Sequence, residues 1–272
     1  MSEVIVIGVV ALQGAFHEHL KLLNLAAADE DLGEAGWDFR QIRTPEELEA
    51  CDALIIPGGE STTISLVAAR SNLIEPLRHF VKVERKPTWG TCAGLILLAE
   101  AANRTKKGGQ ELIGGLDVRV NRNHFGRQAE SFETPLDLPF LKDENSSTKD
   151  SESTPNPFNG IFIRAPVVEK LLPVVQGEQC VEALRDDTVI APSKQKGSSR
   201  HVVQPVEVLA TLPGRTKSIS ENIDAAELAH QGDIIVVRQG NVLGTSFHPE
   251  LTGDARIHVW WLKQVMYAIR SS

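Results

Sequence analysis

Three side chains in this sequence have the types and settings that nucleophilic catalysis requires: Cys92, His248 and Glu250. Cys92 lies in Lys86-Pro87-Thr88-Trp89-Gly90-Thr91-Cys92-Ala93-Gly94-Leu95-Ile96-Leu97-Leu98, which reads as a short strand, a tight turn between glycines and an apolar helix. Gly90 and Gly94 permit a sharp bend and a close helix–strand approach. The sulfur is therefore expected at a helix N-terminus, where the positive end of the dipole favours a thiolate. This is a nucleophile elbow with sulfur in place of oxygen. The local residues leave one alternative open, a buried and inert cysteine.

A thiol nucleophile needs a base, and Ser246-Phe247-His248-Pro249-Glu250 offers one at the end of a late strand-like run. The proline holds the backbone of His248 extended. Glu250, two residues on, can reach the imidazole and fix its tautomer. The long sequence separation from Cys92 suits a pairing made in space. Taken alone, the same residues also fit a surface histidine beside a surface glutamate.

Pro57-Gly58-Gly59-Glu60-Ser61 ends another strand-like run. Paired glycines before a helix leave backbone N–H groups open to an oxyanion or a carboxylate, although they also serve as a plain turn. Arg122, Arg127 and Arg164 are candidate carboxylate clamps through paired hydrogen bonds; solvated surface arginine is the other reading. No Gly-Lys-Ser/Thr phosphate loop occurs. No metal site is expected, because the eight histidines are scattered and His17 and His19 do not share a helix face. Trp260-Trp261 reads as core packing of the last helix.

These residues need elements to position them. Val4 to Leu12 is a continuous apolar run, as in a strand buried on both faces of a parallel sheet. It leads through Gln13-Gly14 into a helix from His17 to about Ala28, with Leu20, Leu23 and Ala27 on one face. Trp37 to Ile42 and Asp52 to Ile56 follow as strands, with Pro45 opening the helix between them. Ser61 or Thr62 is expected to cap the next helix, and Ile74 to about Lys82 forms another before the elbow. This alternation predicts a parallel α/β sheet, whose functional residues gather at the carboxyl ends of the strands.

Further on, Leu116 to Arg122, Gly160 to Arg164, Val181 to Leu184, Thr188 to Ile190 and Val206 to Leu212 read as strands. Ile234 to Val237 and Val242 to Phe247 form a hairpin about Gln239-Gly240-Asn241. Ala255 to Ile269 is a closing amphipathic helix. One domain, 1–272, is expected, with polar insertions near 138–158, 191–205 and 213–232; the last holds a short helix near Asp224 to His230.

The net charge of −8 disfavours nucleic acid and anionic membrane as main partners. No apolar run approaches the roughly 20 residues of a membrane span. No basic segment precedes the first strand, so no signal peptide is expected. Three cysteines form no disulfide framework. A cytoplasmic protein is the expectation.

Together these pieces resemble the class I, triad-type glutamine amidotransferases, through Gly90-Thr91-Cys92-Ala93-Gly94 and Phe247-His248-Pro249-Glu250. Five motifs narrow the likeness. They are residues 8–15, Pro57-Gly58-Gly59-Glu60-Ser61-Thr62-Thr63, Arg122-Asn123-His124-Phe125-Gly126-Arg127-Gln128, Phe162-Ile163-Arg164-Ala165-Pro166 and His248-Pro249-Glu250-Leu251-Thr252. In order along the chain, they look like the glutaminase subunits of pyridoxal 5′-phosphate synthase.

The resemblance implies a flavodoxin-like, three-layer α/β fold around a mostly parallel sheet. It implies hydrolysis of L-glutamine by Cys92, His248 and Glu250, with Gly59 and Ala93 N–H groups lining the oxyanion hole. It further implies glutamine contacts at Gly59, Glu60, Ser61, Arg122, Ile163 and Arg164, and no cofactor. The implied partner is a (β/α)8 synthase subunit that receives the ammonia. Gln13 and the His17-Glu18-His19 stretch are candidates for sensing that partner. The competing readings are a glutaminase serving a different synthase, a cysteine hydrolase of related fold, or a catalytically silent regulatory subunit.

Overall fold

The computed structural model describes residues 4–33, 35–103, 110–122, 131–141, 157–175, 178–193, 204–213 and 232–271. The strands are β1 (Val4–Val10), β2 (Gly36–Ile42), β3 (Ala53–Ile56), β4 (Thr88–Thr91), β5 (Ala99–Asn103), β6 (Leu116–Asn121), β7 (Ser131–Leu136), β8 (Phe158–Ile163), β9 (Val167–Leu171), β10 (Thr188–Ile190), β11 (Glu207–Leu212), β12 (Asp233–Gln239) and β13 (Val242–Thr245). The helices are α1 (Phe16–Ala26), α2 (Pro45–Glu49), α3 (Ser61–Arg70), α4 (Ile74–Arg78), α5 (Ala93–Leu98), α6 (Cys180–Ala183) and α7 (Arg256–Arg270).

The fold is mixed α/β around one large, mostly parallel sheet. Its site-bearing part runs β2-β1-β3-β4-β13, every neighbour parallel. Beyond β13 the sheet continues antiparallel through β12, β9 and β6. β7 and β8 form a separate hairpin. Strand progression reverses between β1 and β3, the position at which open α/β sheets leave a crevice outside the strand ends. The segments after β1, β3, β4 and β13 therefore emerge at one rim.

Alternation along the strands builds a core on each face. In β3, Leu54 and Ile56 pack with Ile64, Ala68, Leu77 and Leu98 from α3, α4 and α5. Ala53 and Ile55 face the other way, toward Leu23 and Ala26 of α1 and Trp261 and Leu262 of α7. Each such fully buried aliphatic or aromatic side chain contributes about 1.5–3 kcal/mol relative to exposure. Helices on both faces give three layers. Trp261 is buried in this core, and Trp260 packs its ring on Phe140.

Local chemistry sets the helix starts. Thr44 and Glu47 form a reciprocal capping box around Pro45 at the head of α2. α3 is capped by Glu60 instead of Ser61 or Thr62, its carboxylate accepting the N–H groups of Thr62 and Thr63. The buried stripe of α1 is His19, Leu22, Leu23 and Ala26, rotated from the one the leucine spacing predicts. After α4 the chain widens into a π turn at His79–Val83.

Val181 to Leu184 is a helical turn and not a strand. The reason is electrostatic: Glu182 turns inward to Arg119 at 2.9 Å, leaving Val181 and Leu184 exposed. β5, an alanine-rich run of low strand propensity, is held in the sheet by pairing with β6 and β10. Of the expected insertions, residues 142–156, 194–203 and 214–231 lie outside the described residues, and with them the short helix near Asp224 to His230. The first is narrower than expected, since Leu138 and Phe158 are both buried.

The elbow depends on two glycines. A Cβ on Gly94 would lie 2.0 Å from the carbonyl oxygen of Ile56, and one on Gly90 would lie 2.5 Å from the backbone of Gly94. Helix propensity alone would favour Gly94→Ala by about 1 kcal/mol, but the clash is with backbone that cannot yield. Gly94→Ala should therefore lose about 2 kcal/mol or more of unfolding free energy. Urea denaturation measures this directly, and an unchanged or raised midpoint would contradict the packing.

Candidate active site

Cys92 adopts φ 46° and ψ −98°, a left-handed conformation that a side chain rarely tolerates. Such strain costs on the order of 1–3 kcal/mol and persists only where the surroundings impose it. Here the Cys92 N–H donates to the Thr245 carbonyl at 2.8 Å, tying the elbow to β13. α5 starts at the next residue, so the N–H of Ala93 belongs to a first helical turn, which has no intrahelical acceptor. Cys92 is nearly buried yet lines a cavity of about 450 Å³. Of the other cysteines, Cys51 fits the inert reading: burial pushes its thiol up to about 11, and its Sγ donates to the Glu47 carbonyl. Cys180 is exposed.

His248 stands opposite the elbow. Its backbone ahead of Pro249 (φ −105°, ψ 84°) falls just short of the extended region the proline predicts, and its N–H donates to the Ile161 carbonyl of β8 at 2.8 Å. Nδ1 lies 2.8 Å from Glu250 Oε1, and the ring lines the same cavity as Cys92. Burial alone would lower the imidazolium pKa. Cys92 and Glu250 outweigh burial and raise the pKa to about 10. The proton is thus held on His248 at neutral pH. Glu250 lies on a short turn, Pro249–Leu251, with its carboxylate fully buried.

The cavity walls come from the other strand ends. Gly58 is pressed against the histidine: a Cβ there would lie 2.3 Å from His248 Cε1 and 2.6 Å from Nδ1. A Cβ on Gly59 would lie 2.5 Å from Gln13 Oε1, which accepts the Glu60 N–H at 2.8 Å and joins the β1 and β3 loops. Hydrogen bonds from Thr63 and Thr62 overcome burial and hold the Glu60 carboxyl below its usual range. Arg122 is buried, with Nη2 donating to Ser61 Oγ at 2.9 Å and Thr62 Oγ1 at 3.0 Å. Burial lowers its pKa, against the pull of Glu60. Ile163 and Arg164 line the same cavity, Arg164 at φ 43°.

The structure therefore brings Cys92, His248 and Glu250 together, with Gly59, Glu60, Ser61, Arg122, Ile163 and Arg164 around the same space. Arg127 lies outside the described residues. His17 and Glu18 are exposed on α1, whereas His19 is fully buried beneath them. Sequence reasoning missed Thr62 as a partner of Arg122, and it missed the buried pair His19 and His258. Nothing local in the sequence marks either.

Residues 9–203 and 207–267 match the SNO glutamine amidotransferase family. Over 257 residues the chain is 44% identical to a probable pyridoxal 5′-phosphate synthase subunit PDX2 of Arabidopsis thaliana, covering 94% of this chain and 84% of that protein. It is 39% identical to a pyridoxal 5′-phosphate synthase subunit PdxT of Streptomyces coelicolor (95% and 92% covered). A PdxT subunit of Thermococcus onnurineus is 38% identical (96% and 98% covered). Among solved structures, a glutamine amidotransferase aligns with a TM-score of 0.61 and 34% identity, covering 96% of this chain and 98% of that one.

The raised His248 pKa has a consequence for stability. In the unfolded chain this histidine titrates near 6.5, and in the folded one near 10. Its contribution is therefore complete below pH 6.5 and fades as pH rises from there toward 10. The difference in unfolding free energy between wild type and His248→Ala should shrink across that window. Denaturant titrations at a series of pH values measure it, and a pH-independent difference would contradict the ion-paired histidine.

Proposed function

The chain belongs to the SNO glutamine amidotransferase family, and from that premise we propose that it hydrolyses L-glutamine to L-glutamate and ammonia for a synthase subunit making pyridoxal 5′-phosphate. The observation that carries the chemistry is a strained Cys92 that opens on one cavity with a histidine whose Nδ1 is fixed by a buried glutamate. The relatives' names as pyridoxal 5′-phosphate synthase subunits support the identity of the acceptor enzyme. We assign that acceptor a (β/α)8 fold and the working complex to the cytoplasm. No helix among the described residues is long and apolar enough to cross a membrane.

In this reading Cys92 Sγ, its proton held by His248, attacks the side-chain amide carbon of glutamine. The carbonyl oxygen becomes an oxyanion, and the N–H groups of Gly59 and Ala93 are its donors. Collapse expels the amide nitrogen, which takes the proton from His248 and leaves as ammonia. A water then gives a proton to His248 and attacks the thioester carbon; collapse expels Sγ, releasing glutamate and restoring the starting pair with its proton on His248. Glu250 holds the ring oriented throughout.

Arg122 and Arg164 are assigned to the substrate α-carboxylate. Arg122 is already fixed by the Ser61 and Thr62 hydroxyls, so little freedom is lost on binding. The Glu60 carboxylate, kept ionised by its cap bonds, suits the α-ammonium. Ile163 supplies an apolar wall along the substrate stem.

Glutamate and ammonia release are assayed with the chain in complex with a pyridoxal 5′-phosphate synthase subunit. Wild type should convert glutamine. Cys92→Ser should lose at least about 10³-fold in kcat/KM. Arg122→Gln should raise KM by about 10–100-fold, the worth of a charged hydrogen bond. If no glutamate forms with the partner present, the proposal fails.

A further inference from the structure

The triad leaves one polar atom unaccounted for. Glu250 Oε1 is engaged by His248, but Oε2 is buried and has no hydrogen-bond partner among the described residues. His19 Nε2, from α1, stands 3.5 Å from it. The same nitrogen lies 3.2 Å from Thr91 Oγ1, beside the nucleophile, while His19 Nδ1 lies 3.0 Å from Nε2 of His258 on α7. Both imidazoles are completely buried, and neither lines the cavity. Leaving a buried carboxylate oxygen unpartnered costs about 1–3 kcal/mol or more, so this arrangement requires an explanation.

The tautomers supply it. Two facing ring nitrogens, His19 Nδ1 and His258 Nε2, can share only one proton. If His19 donates, its Nε2 turns a lone pair toward Glu250 Oε2. His258 must then carry its proton on Nδ1, which has no hydrogen-bond partner. That state has a buried orphan donor and a lone-pair repulsion. If His258 donates, His19 carries its proton on Nε2, which lies 3.2 Å from Thr91 Oγ1 and 3.5 Å from Glu250 Oε2, and only an unpartnered lone pair remains on His258. The second state wins.

We propose that His19 is a positioning residue of the triad: its Nε2–H supplies the donor that holds the second carboxylate oxygen of Glu250, and His258 sets the tautomer that makes this donor available. This rests on the reading of Cys92, His248 and Glu250 as the catalytic set. Both supporting imidazoles are neutral. Burial drives His258 down to about 3 against the pull of Asp254, and burial, with the charges of His258 and His248, keeps His19 well below 6.5. The groups facing this cluster are His19 from α1, Thr91 from the end of β4, His258 with Asp254 at the head of α7, and His248 beside Glu250 itself.

A pair of amide substitutions separates positioning from packing. In His19→Gln the amide nitrogen reaches about as far as Nε2, restoring a donor toward Glu250. In His19→Asn it reaches only as far as Nδ1, restoring the contact with His258. The readout is the rate of Cys92 alkylation by iodoacetamide against pH, followed by mass spectrometry of the Cys92 peptide; it needs neither glutamine nor a partner. His19→Gln should keep the wild-type profile. His19→Asn should move the acid limb up by about one pH unit, the worth of a long contact to a buried charge. In the synthase complex, His19→Asn should also lower kcat for glutamate release about tenfold with KM unchanged.

A purely structural role predicts the opposite order, because the 3.0 Å contact with His258 is the shorter one. Equal profiles for His19→Asn and wild type, or equal damage in both variants, would overturn the proposal. The tautomer is checked without substitution: 15N shifts of His19 in the wild-type protein should show the proton on Nε2, and a proton on Nδ1 would overturn it. If wild type with its partner releases no glutamate, the proposed function fails, while the alkylation profiles and the tautomer still decide on His19.

Discussion

The His248 imidazole is held between Glu250 and Gly58, and the rest of the site depends on that hold. Glu250 holds Nδ1, Cys92 shares the cavity, and Gly58 lies so near the ring that a single methyl group would displace it. An imidazole free to rotate would lose its tautomer and its proton path together. The glycines of the rim are therefore there for space more than for flexibility. Gly58 makes room for His248, Gly59 for Gln13, and Gly94 for the carbonyl of Ile56. Backbone from β3 and β4 can close on residues from β1 and β13 only because these positions lack a side chain.

Such a site is destabilising in itself. It contains a left-handed cysteine, a buried carboxylate, two buried neutral histidines and a buried arginine. Each opposes folding, and the two apolar cores on either face of the sheet offset them. The polar groups are also stitched across elements that are distant in sequence. Arg122 binds α3, His19 joins α1 to α7, and Trp89 Nε1 donates to Thr245. Parallel strands direct all these connections to one rim, so the electrostatic pre-organisation follows from the topology.

How far the sequence could be read depends on the range of the interaction. The elbow was legible because Gly90, Cys92 and Gly94 state their own backbone geometry, and His248 with Glu250 because two residues suffice to close that contact. The alternating pattern of the first hundred residues likewise announced the parallel sheet. Long-range chemistry was not legible. Glu182 makes a helical turn of a strand-like run by reaching Arg119, a contact between segments that nothing local connects. Glu60 displaces Ser61 as the cap because its carboxylate reaches two N–H groups at once. His19 lies among the leucines of α1 and looks like an interruption of an apolar face until α7 brings His258 against it.

The central claim is that Cys92, and no other thiol, is the atom that attacks glutamine from a cavity shaped for it. A glutamine analogue bearing a diazoketone in place of the amide, incubated with the synthase complex and followed by peptide mass spectrometry, tests this most directly. The account predicts one adduct per chain, on Cys92, competed away by glutamine and lost in His248→Ala. Modification of the exposed Cys180 instead, or labelling of Cys92 that glutamine does not slow, would contradict it.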